Sequence, residues 1–154
     1  MLSLTKKTDY ALIALCFLAQ NPGRVVPASE IAAAFEMPAA LLMNILKTLH
    51  HSGWLTSTRG TKGGYQLCIN LQHRTVHDLI EVLEGPVSLT ACMLHPDDKD
   101  CTDPSCRINR KCPIQAPIKA LHQKLVRFLR DVKLSDILLA GKKTESQRQP
   151  ASAG

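Results

Sequence analysis

Long hydrophobic runs are missing from this sequence of 154 residues. The longest apolar stretch, from Ala11 to Ala19, has nine residues, whereas a helix that spans a bilayer needs about 20. The N-terminus also lacks the basic region, apolar segment and small-residue cleavage site of a secretory signal. We therefore expect a cytoplasmic protein with no membrane partner. Because disulfides are rare in the cytoplasm, a cluster of cysteines is expected there to bind metal or to sense redox state.

Recognisable catalytic motifs are absent as well. The sequence has no glycine-rich nucleotide loop, no Ser/His/Asp arrangement and no pair of acids in an apolar setting. A thiol oxidoreductase would usually carry Cys-x-x-Cys, and this motif does not occur. These absences predict that the protein is not an enzyme.

Acidic residues are missing between Glu36 and Asp78. The same stretch carries four of the six histidines and four basic residues, which are Lys47, Arg59, Lys62 and Arg74. Since each carboxylate would repel phosphate, a basic segment without acids suits a polyanion such as DNA. A solvated basic face is the alternative interpretation.

Hydrophobic spacing predicts a helix-turn-helix followed by a β-hairpin. Apolar residues at helical spacing predict helices over 2–20, 29–35 and 39–51, with Pro38 at the start of the third. Two β-prone segments, 54–58 and 65–69, flank a basic glycine loop at 59–64. This order is typical of a winged helix. The fold is therefore predicted to be mainly α with a small β-wing, and residues 1–72 to be its DNA-binding region.

The third helix and the glycine loop supply the predicted DNA contacts. The helix would enter the major groove, where Asn44 is the best base reader because its amide suits adenine. The loop would reach a narrow minor groove with its two cations, and its glycines would let the backbone approach phosphate. The predicted DNA-binding residues are Ala39, Ala40, Met43, Asn44, Lys47, Arg59, Lys62, Gly63 and Gly64, together with Lys6 and Lys7 near the N-terminus.

The chain beyond residue 72 is predicted to have four parts. Residues 73–91 form a connecting helix and turn, capped by Thr75 with Asp78. A cysteine-rich loop at 92–112, a long amphipathic helix and C-terminal segment at 113–140, and a disordered polar tail at 141–154 follow. A small domain cannot cover the whole apolar stripe of the long helix, so we interpret it as a homodimer interface. Packing on its own chain is the alternative. The predicted interface residues are Ile114, Ile118, Leu121, Leu125, Phe128 and Leu129.

The loop at 92–112 holds Cys92, Cys101, Cys106 and Cys112. Four thiolates can bind an iron–sulfur cluster or Zn²⁺, and they can also act as a thiol/disulfide switch. The gaps of eight, four and five residues lack the paired Cys-x-x-Cys knuckles that are common in structural zinc sites. Zinc and the bare thiol switch are therefore kept as alternatives to the cluster. The other two cysteines, Cys16 and Cys68, lie among apolar neighbours and are predicted to be buried.

Several short motifs follow one another in a specific order along residues 1–138. They are Thr8-Asp9-Tyr10-Ala11, Ile45-Leu46-Lys47-Thr48-Leu49, Ser52-Gly53-Trp54-Leu55, Arg59 to Leu67, Glu84-Gly85-Pro86 and the cysteines ahead of the long helix. In this order they resemble the Rrf2 family of winged-helix regulators, which includes IscR, NsrR and RirA. The resemblance implies a homodimeric transcription factor, usually a repressor, that binds a pseudo-palindromic site on double-stranded DNA. It also implies a [2Fe–2S] or [4Fe–4S] cluster that senses iron, nitric oxide or redox state. The segments around Tyr10 and Glu84 look most like the branch that regulates the SUF iron–sulfur assembly genes.

The resemblance also implies a ligand set. Cys92, Cys106 and Cys112 stand where the family has its three cluster cysteines, and the fourth ligand varies. Cys101 lies inside an interval that is longer than the family's, so it could take the fourth position, replace Cys106 as a ligand or be a spare thiol. Asp9, contributed by the other subunit, is the second candidate for the fourth position, because an aspartate at this place is a ligand in NsrR-like relatives. An acid that offsets the helix macrodipole is the alternative role for Asp9.

Overall fold

The computed structural model describes residues 4–90 and 111–140. Helices α1 (Lys6–Gln20), α2 (Ala28–Ala34) and α3 (Ala39–His51) come first, followed by the antiparallel strands β1 (Leu55–Thr58) and β2 (Gly64–Leu67) and a 3₁₀ turn at Leu71–His73. Then come α4 (Val76–Glu84), α5 (Gln115–Asp131) and α6 (Leu134–Leu138). In these two ranges no helix is long and apolar enough to cross a membrane. The predicted fold class, mainly helical with a small β-wing, is confirmed.

The first three helices pack around one apolar core. α1 begins at Lys6 rather than at Leu2, because the Thr5 hydroxyl caps it by accepting the Thr8 N–H at 3.3 Å. The core continues through Trp54, which is 1% exposed, into the side chains of α4 and α6. The prediction for α1 thus missed a capping threonine, whereas the predicted bounds of α3 are confirmed.

A tight turn joins α2 to α3. Glu36 adopts a left-handed backbone conformation with φ of 51°, which favours glycine over residues that carry a side chain. The Met37 N–H donates to the Ala32 carbonyl at 3.0 Å, and the Met37 side chain is buried. The turn therefore fixes α3 against α2 as a helix-turn-helix.

The wing, which consists of β1, β2 and the loop between them, follows α3 directly. The two strands pair antiparallel, with Leu55 opposite Leu67. On the other edge of β2, Val26 and Tyr65 exchange two backbone hydrogen bonds of 2.8 Å each. These bonds join the wing to the loop before α2, so the wing and the helix-turn-helix form one body. This body and α4 together are here called the winged helix.

The two cysteines outside the cysteine-rich segment differ in burial. Cys16 on α1 is half-buried, and its thiol donates to the Leu138 carbonyl at 3.5 Å. Cys68 is exposed, so the prediction that it is buried is wrong. The physical reason is that β2 ends at Leu67, and the Cys68 thiol, beyond the strand, donates to the Gly53 carbonyl at 3.2 Å.

The long helix is connected to the winged helix at its C-terminal end. α5 has 17 residues, none of which is buried. α4 begins with the predicted cap, in which Thr75 is the N-cap residue and the Asp78 carboxylate accepts its backbone N–H. The Val76 N–H donates to the Val132 carbonyl at 3.0 Å, and the Leu134 N–H donates to the Arg74 carbonyl at 2.9 Å. α6 then adds its leucines to the core of the winged helix. The chain therefore returns, after the cysteine-rich segment, to the domain that it left at the end of α4.

Candidate nucleic-acid interface and thiol site

α3 has one buried face and one accessible face. The buried residues are Leu42, Ile45, Leu46 and Leu49, each at 0% exposure, as the helical spacing predicts. The residues predicted to enter the major groove lie on the accessible side: Ala39, Ala40, Asn44 and Lys47 are exposed and Met43 is half-buried. The helix-turn-helix therefore leaves the predicted major-groove side chains of α3 accessible, as recognition helices of this motif require.

The tip of the wing carries two exposed cations. Arg59 and Lys62 are exposed, and no carboxylate within residues 4–90 and 111–140 forms an ion pair with either of them. The turn between the strands depends on Gly63, where a Cβ would lie 2.4 Å from the Thr58 carbonyl oxygen. Among the described residues, both cations are thus accessible to phosphate or to a narrow minor groove.

Gly64 allows the wing to approach the loop before α2. A Cβ on this residue would lie 2.3 Å from the carbonyl oxygen of Val26 and 2.5 Å from its carbonyl carbon. Both are backbone atoms, which cannot move aside as a flexible side chain does. The sequence predicts Gly63 and Gly64 as phosphate contacts, and the fold requires both glycines for its own packing.

His50 connects α3 to the wing, a role that the sequence does not reveal. Its Nε2 lies 3.1 Å from the Ser57 hydroxyl, and its ring meets the Tyr65 ring edge-on at a centroid distance of 6.4 Å. Because Ser57 and Tyr65 are partners across the hairpin, one histidine contacts both strands. These residues become neighbours only through the strand register, so no spacing along the chain could have indicated them.

The start of α1 is bonded to the end of α4. The hydroxyls of Thr5 and Thr8 donate to the Glu84 carboxylate, and the Lys7 ammonium donates to a carbonyl in the last turn of α4. Lys6 is exposed. Of the two lysines predicted to contact phosphate, Lys7 is therefore already engaged within the chain, and Lys6 is the more accessible.

Two of the predicted cluster ligands lie within the described residues. Asp9 is exposed in the first turn of α1, and within these residues no basic side chain pairs with it. Cys112 is a free, half-buried cysteine shortly before α5 begins. The predictions for Cys92, Cys101 and Cys106, and for the tail at 141–154, lie outside the described residues. A thiolate is a ligand for iron–sulfur clusters and for zinc, so the donor type of Cys112 suits either metal.

A second group of potential metal ligands has an ordinary explanation. His77, Asp78 and Glu81 on α4 bring their ligand atoms within 4.8 Å of one another. Asp78 already accepts the Thr75 N–H at 2.9 Å, which closes the helix cap. His77 and Glu81 are an i, i+4 pair with Nδ1 and Oε2 separated by 3.4 Å. This group therefore stabilises α4 and needs no metal.

α5 and its N-cap expose a column of large apolar side chains. Ile114, Leu121 and Phe128 recur at intervals of seven residues and are 59%, 53% and 62% exposed. The other predicted interface residues, Ile118, Leu125 and Leu129, are half-buried. A helix with this much exposed apolar surface and no buried residue typically marks an interaction face.

Comparison with known proteins identifies the family. The family model described as Rrf2, iron-dependent transcriptional regulator, matches residues 4–140. An HTH-type transcriptional regulator of Aquifex aeolicus is 32% identical over 103 residues, which are 66% of this chain and 72% of that relative. An rrf2-like HTH-type regulator of Rhodobacter capsulatus is 29% identical over 142 residues, with 90% of this chain and 93% of that relative covered.

Two solved structures share the fold. CymR of B. subtilis has a TM-score of 0.66 at 24% identity, with 91% of this chain and 98% of that chain covered. T. potens IscR has a TM-score of 0.64 at 22% identity, with 97% and 94% covered. Rrf2 proteins bind DNA and regulate transcription, which confirms the prediction that the chain is not an enzyme. With the family model matching nearly its whole length, the chain belongs to the Rrf2 family of transcriptional regulators.

Proposed function

We propose that this chain represses transcription as a cytoplasmic homodimer and responds to an iron–sulfur cluster. The proposed ligands are Cys92, Cys106 and Cys112, with Cys101 or Asp9 as the fourth. The cluster is [2Fe–2S] or [4Fe–4S], and the proposed signals are iron, redox state or nitric oxide. The resemblance to the SUF branch makes SUF assembly genes the proposed targets.

The position of Cys112 is the observation that carries this proposal. It is a half-buried free thiol three residues before Gln115, where α5 begins, and the other end of α5 is hydrogen-bonded to the winged helix through Val132 and Leu134. Because α5 is one continuous helix of 17 residues, we expect a displacement of the chain at Cys112 to shift the whole helix. A bound cluster would form iron–thiolate bonds with the cysteines, and the number of these bonds would depend on iron supply and oxidation. Cys112 would convert that change into a change in the position of α5.

The exposed column on α5 supports the homodimer. Covering Ile114, Leu121 and Phe128 with the same surface of a second copy would remove them from water by a two-fold contact. A two-fold dimer presents two copies of α3 and two wings, which require a pseudo-palindromic site. Dimerisation and DNA reading are therefore parts of one proposal.

Anaerobic purification tests the cluster directly. The absorbance spectrum and the iron, acid-labile sulfide and zinc contents are measured on the full chain, and DNA affinity is measured before and after the cluster is removed. Cys112→Ser should lose iron and sulfide, whereas Cys68→Ser should keep both, because Cys68 is a surface donor whose bond to the Gly53 carbonyl serine can also make. Comparison of Asp9→Asn with Cys101→Ser then identifies the fourth ligand.

A thiol-based response without a cluster is the second candidate. CymR of B. subtilis is described as a global cysteine regulator, and an oxidised form of Staphylococcus aureus CymR has been solved. Colourless protein with one zinc per chain would favour a zinc-stabilised DNA binder. Protein that lacks both metals after reconstitution, and that loses DNA affinity on oxidation, would favour the thiol/disulfide switch. Either result would refute the cluster.

A further inference from the structure

The leading part of the accessible face of α3 is poor in hydrogen-bonding groups. Ala39, Ala40 and Met43 offer only apolar side chains there, and Pro38, the N-cap residue, makes no side-chain cap bond. Asn44 is the exception. It is exposed, and its side-chain amide makes no hydrogen bond within the described residues, where the Thr48 hydroxyl bonds only the Asn44 backbone carbonyl, at 2.9 Å. Its amide is therefore free to bond a base edge.

The positive charges lie away from the apolar surface formed by Ala39, Ala40 and Met43. α3 contains no arginine, the side chain that most often reads guanine by a bidentate bond. Lys47 lies one turn beyond Asn44, and Arg59 and Lys62 belong to the wing. Contacts from these residues to phosphates would position the protein without specifying a sequence.

The chemistry of base edges matches this surface to one kind of base pair. In the major groove thymine presents a methyl group, which alanine and other apolar side chains contact, and adenine presents the N6 and N7 pair that an asparagine amide bonds. Guanine and cytosine present donors and acceptors without a methyl group, and these would lose their water bonds against alanine without gaining a partner.

We propose that the half-site read by α3 is rich in A·T pairs, with Ala39 and Ala40 recognising thymine methyl groups and Asn44 recognising an adenine. Arg59 fits the same sequence class, because A-tracts have a narrow minor groove of high negative potential. This inference rests on the proposed DNA-binding function and names the operator class that the function would use.

A selection from random duplexes is the first test, made with the full chain in both its metal-loaded and its metal-free forms. The expected result is a pseudo-palindrome whose half-sites have A·T pairs at the positions that α3 covers. Enrichment of half-sites that require guanine or cytosine there would overturn this inference and leave the proposed function intact. Failure of both forms to enrich any sequence would overturn the proposed function and this inference with it.

Replacement of thymine by deoxyuridine in the selected site removes the methyl group and nothing else. Each thymine under Ala39 or Ala40 should lose about fourfold in affinity on replacement, the value of one buried methyl group, whereas thymines flanking the half-sites should show no change. In Ala40→Gly the ratio of affinities for thymine and uracil should fall toward one. This ratio is taken within one protein, so it is insensitive to a loss of helix stability.

Asn44→Ala and Lys47→Ala separate sequence reading from charge. Asn44→Ala should abolish the preference for adenine at one position in each half-site, at a cost of about 5- to 150-fold per half-site. Lys47→Ala should weaken binding by the same factor for preferred and mutated sites. Equal affinity for the thymine and uracil duplexes, together with an unchanged adenine preference in Asn44→Ala, would refute the assignment of these residues.

Discussion

Replacement of Gly64 by alanine should loosen the wing from the rest of the winged helix. The added Cβ would stand 2.3 Å from the Val26 carbonyl oxygen, so β2 has to move away from the loop before α2. The two backbone bonds between Val26 and Tyr65 would then be lost, at about 0.5–1.5 kcal/mol each. Val26 itself, now 0% exposed, would gain contact with water. Together these losses predict a decrease of about 2–4 kcal/mol in the free energy of unfolding.

The assay is urea denaturation at one protein concentration, with amide hydrogen exchange as the local readout. Gly53→Ala is the matched control, because Gly53 has φ of +74° with nothing within 4 Å of an added Cβ, which limits its cost to about 1–2 kcal/mol of backbone strain. The amides of Val26 and Tyr65 should lose protection in Gly64→Ala and keep it in Gly53→Ala. Wild-type stability of Gly64→Ala, with full protection of both amides, would show that the wing does not pack against Val26.

Three further predictions concern the dimer, the wing tip and the helix-turn-helix. Phe128→Ala should raise the dimer Kd by roughly 30- to 150-fold, since two copies of a side chain that is 62% exposed in the monomer lose about 2–3 kcal/mol of burial. Sedimentation equilibrium measures this Kd. Lys124→Ala, on the same helix outside the apolar stripe, should leave it unchanged. Arg59→Ala should reduce the slope of log affinity against log salt by about 2, or about 1 for each wing of the dimer, and relax the preference for A-tracts. An identical slope would remove the wing from the interface. Glu36→Gly should raise the free energy of unfolding by about 0.5–1 kcal/mol, because glycine relieves the left-handed conformation; Glu36→Gln removes the same charge but keeps the side chain, so it should show no gain.

Local patterns were sufficient for the elements that bear on DNA. The bounds of α3 follow from four leucine and isoleucine residues at helical spacing, and the same spacing predicts which of its faces is buried. The cap of α4 follows from Thr75 and Asp78, three residues apart. Asn44, Arg59 and Lys62 are accessible where the sequence places them, because each is polar and lies on a face or loop that its neighbours leave open.

Contacts between distant segments could not be read from the sequence. The closeness of Gly64 to Val26 and the contact of His50 with both strands depend on register and docking, which no local spacing encodes. Cys68 has an apolar neighbour on each side in the chain, yet it is exposed because the strand ends one residue earlier. Leu134 and Leu138 lie in a short segment with no pattern of its own, and they enter a core that is built mainly from residues before 84.

The return of the chain to the winged helix makes its folding unit discontinuous. Leu134 is 0% exposed and Leu138 is 5% exposed, so a fragment that ends before residue 132 would leave part of the core open. The core is therefore complete only when residues after 131 have been brought back to residues before 85, and this closure costs entropy that grows with the number of residues between them. Any ligand that ties together residues of this intervening segment shortens the loop that has to be closed in the unfolded chain. It would stabilise the DNA-reading fold by chain entropy alone, even if it touched no residue of α3 or the wing.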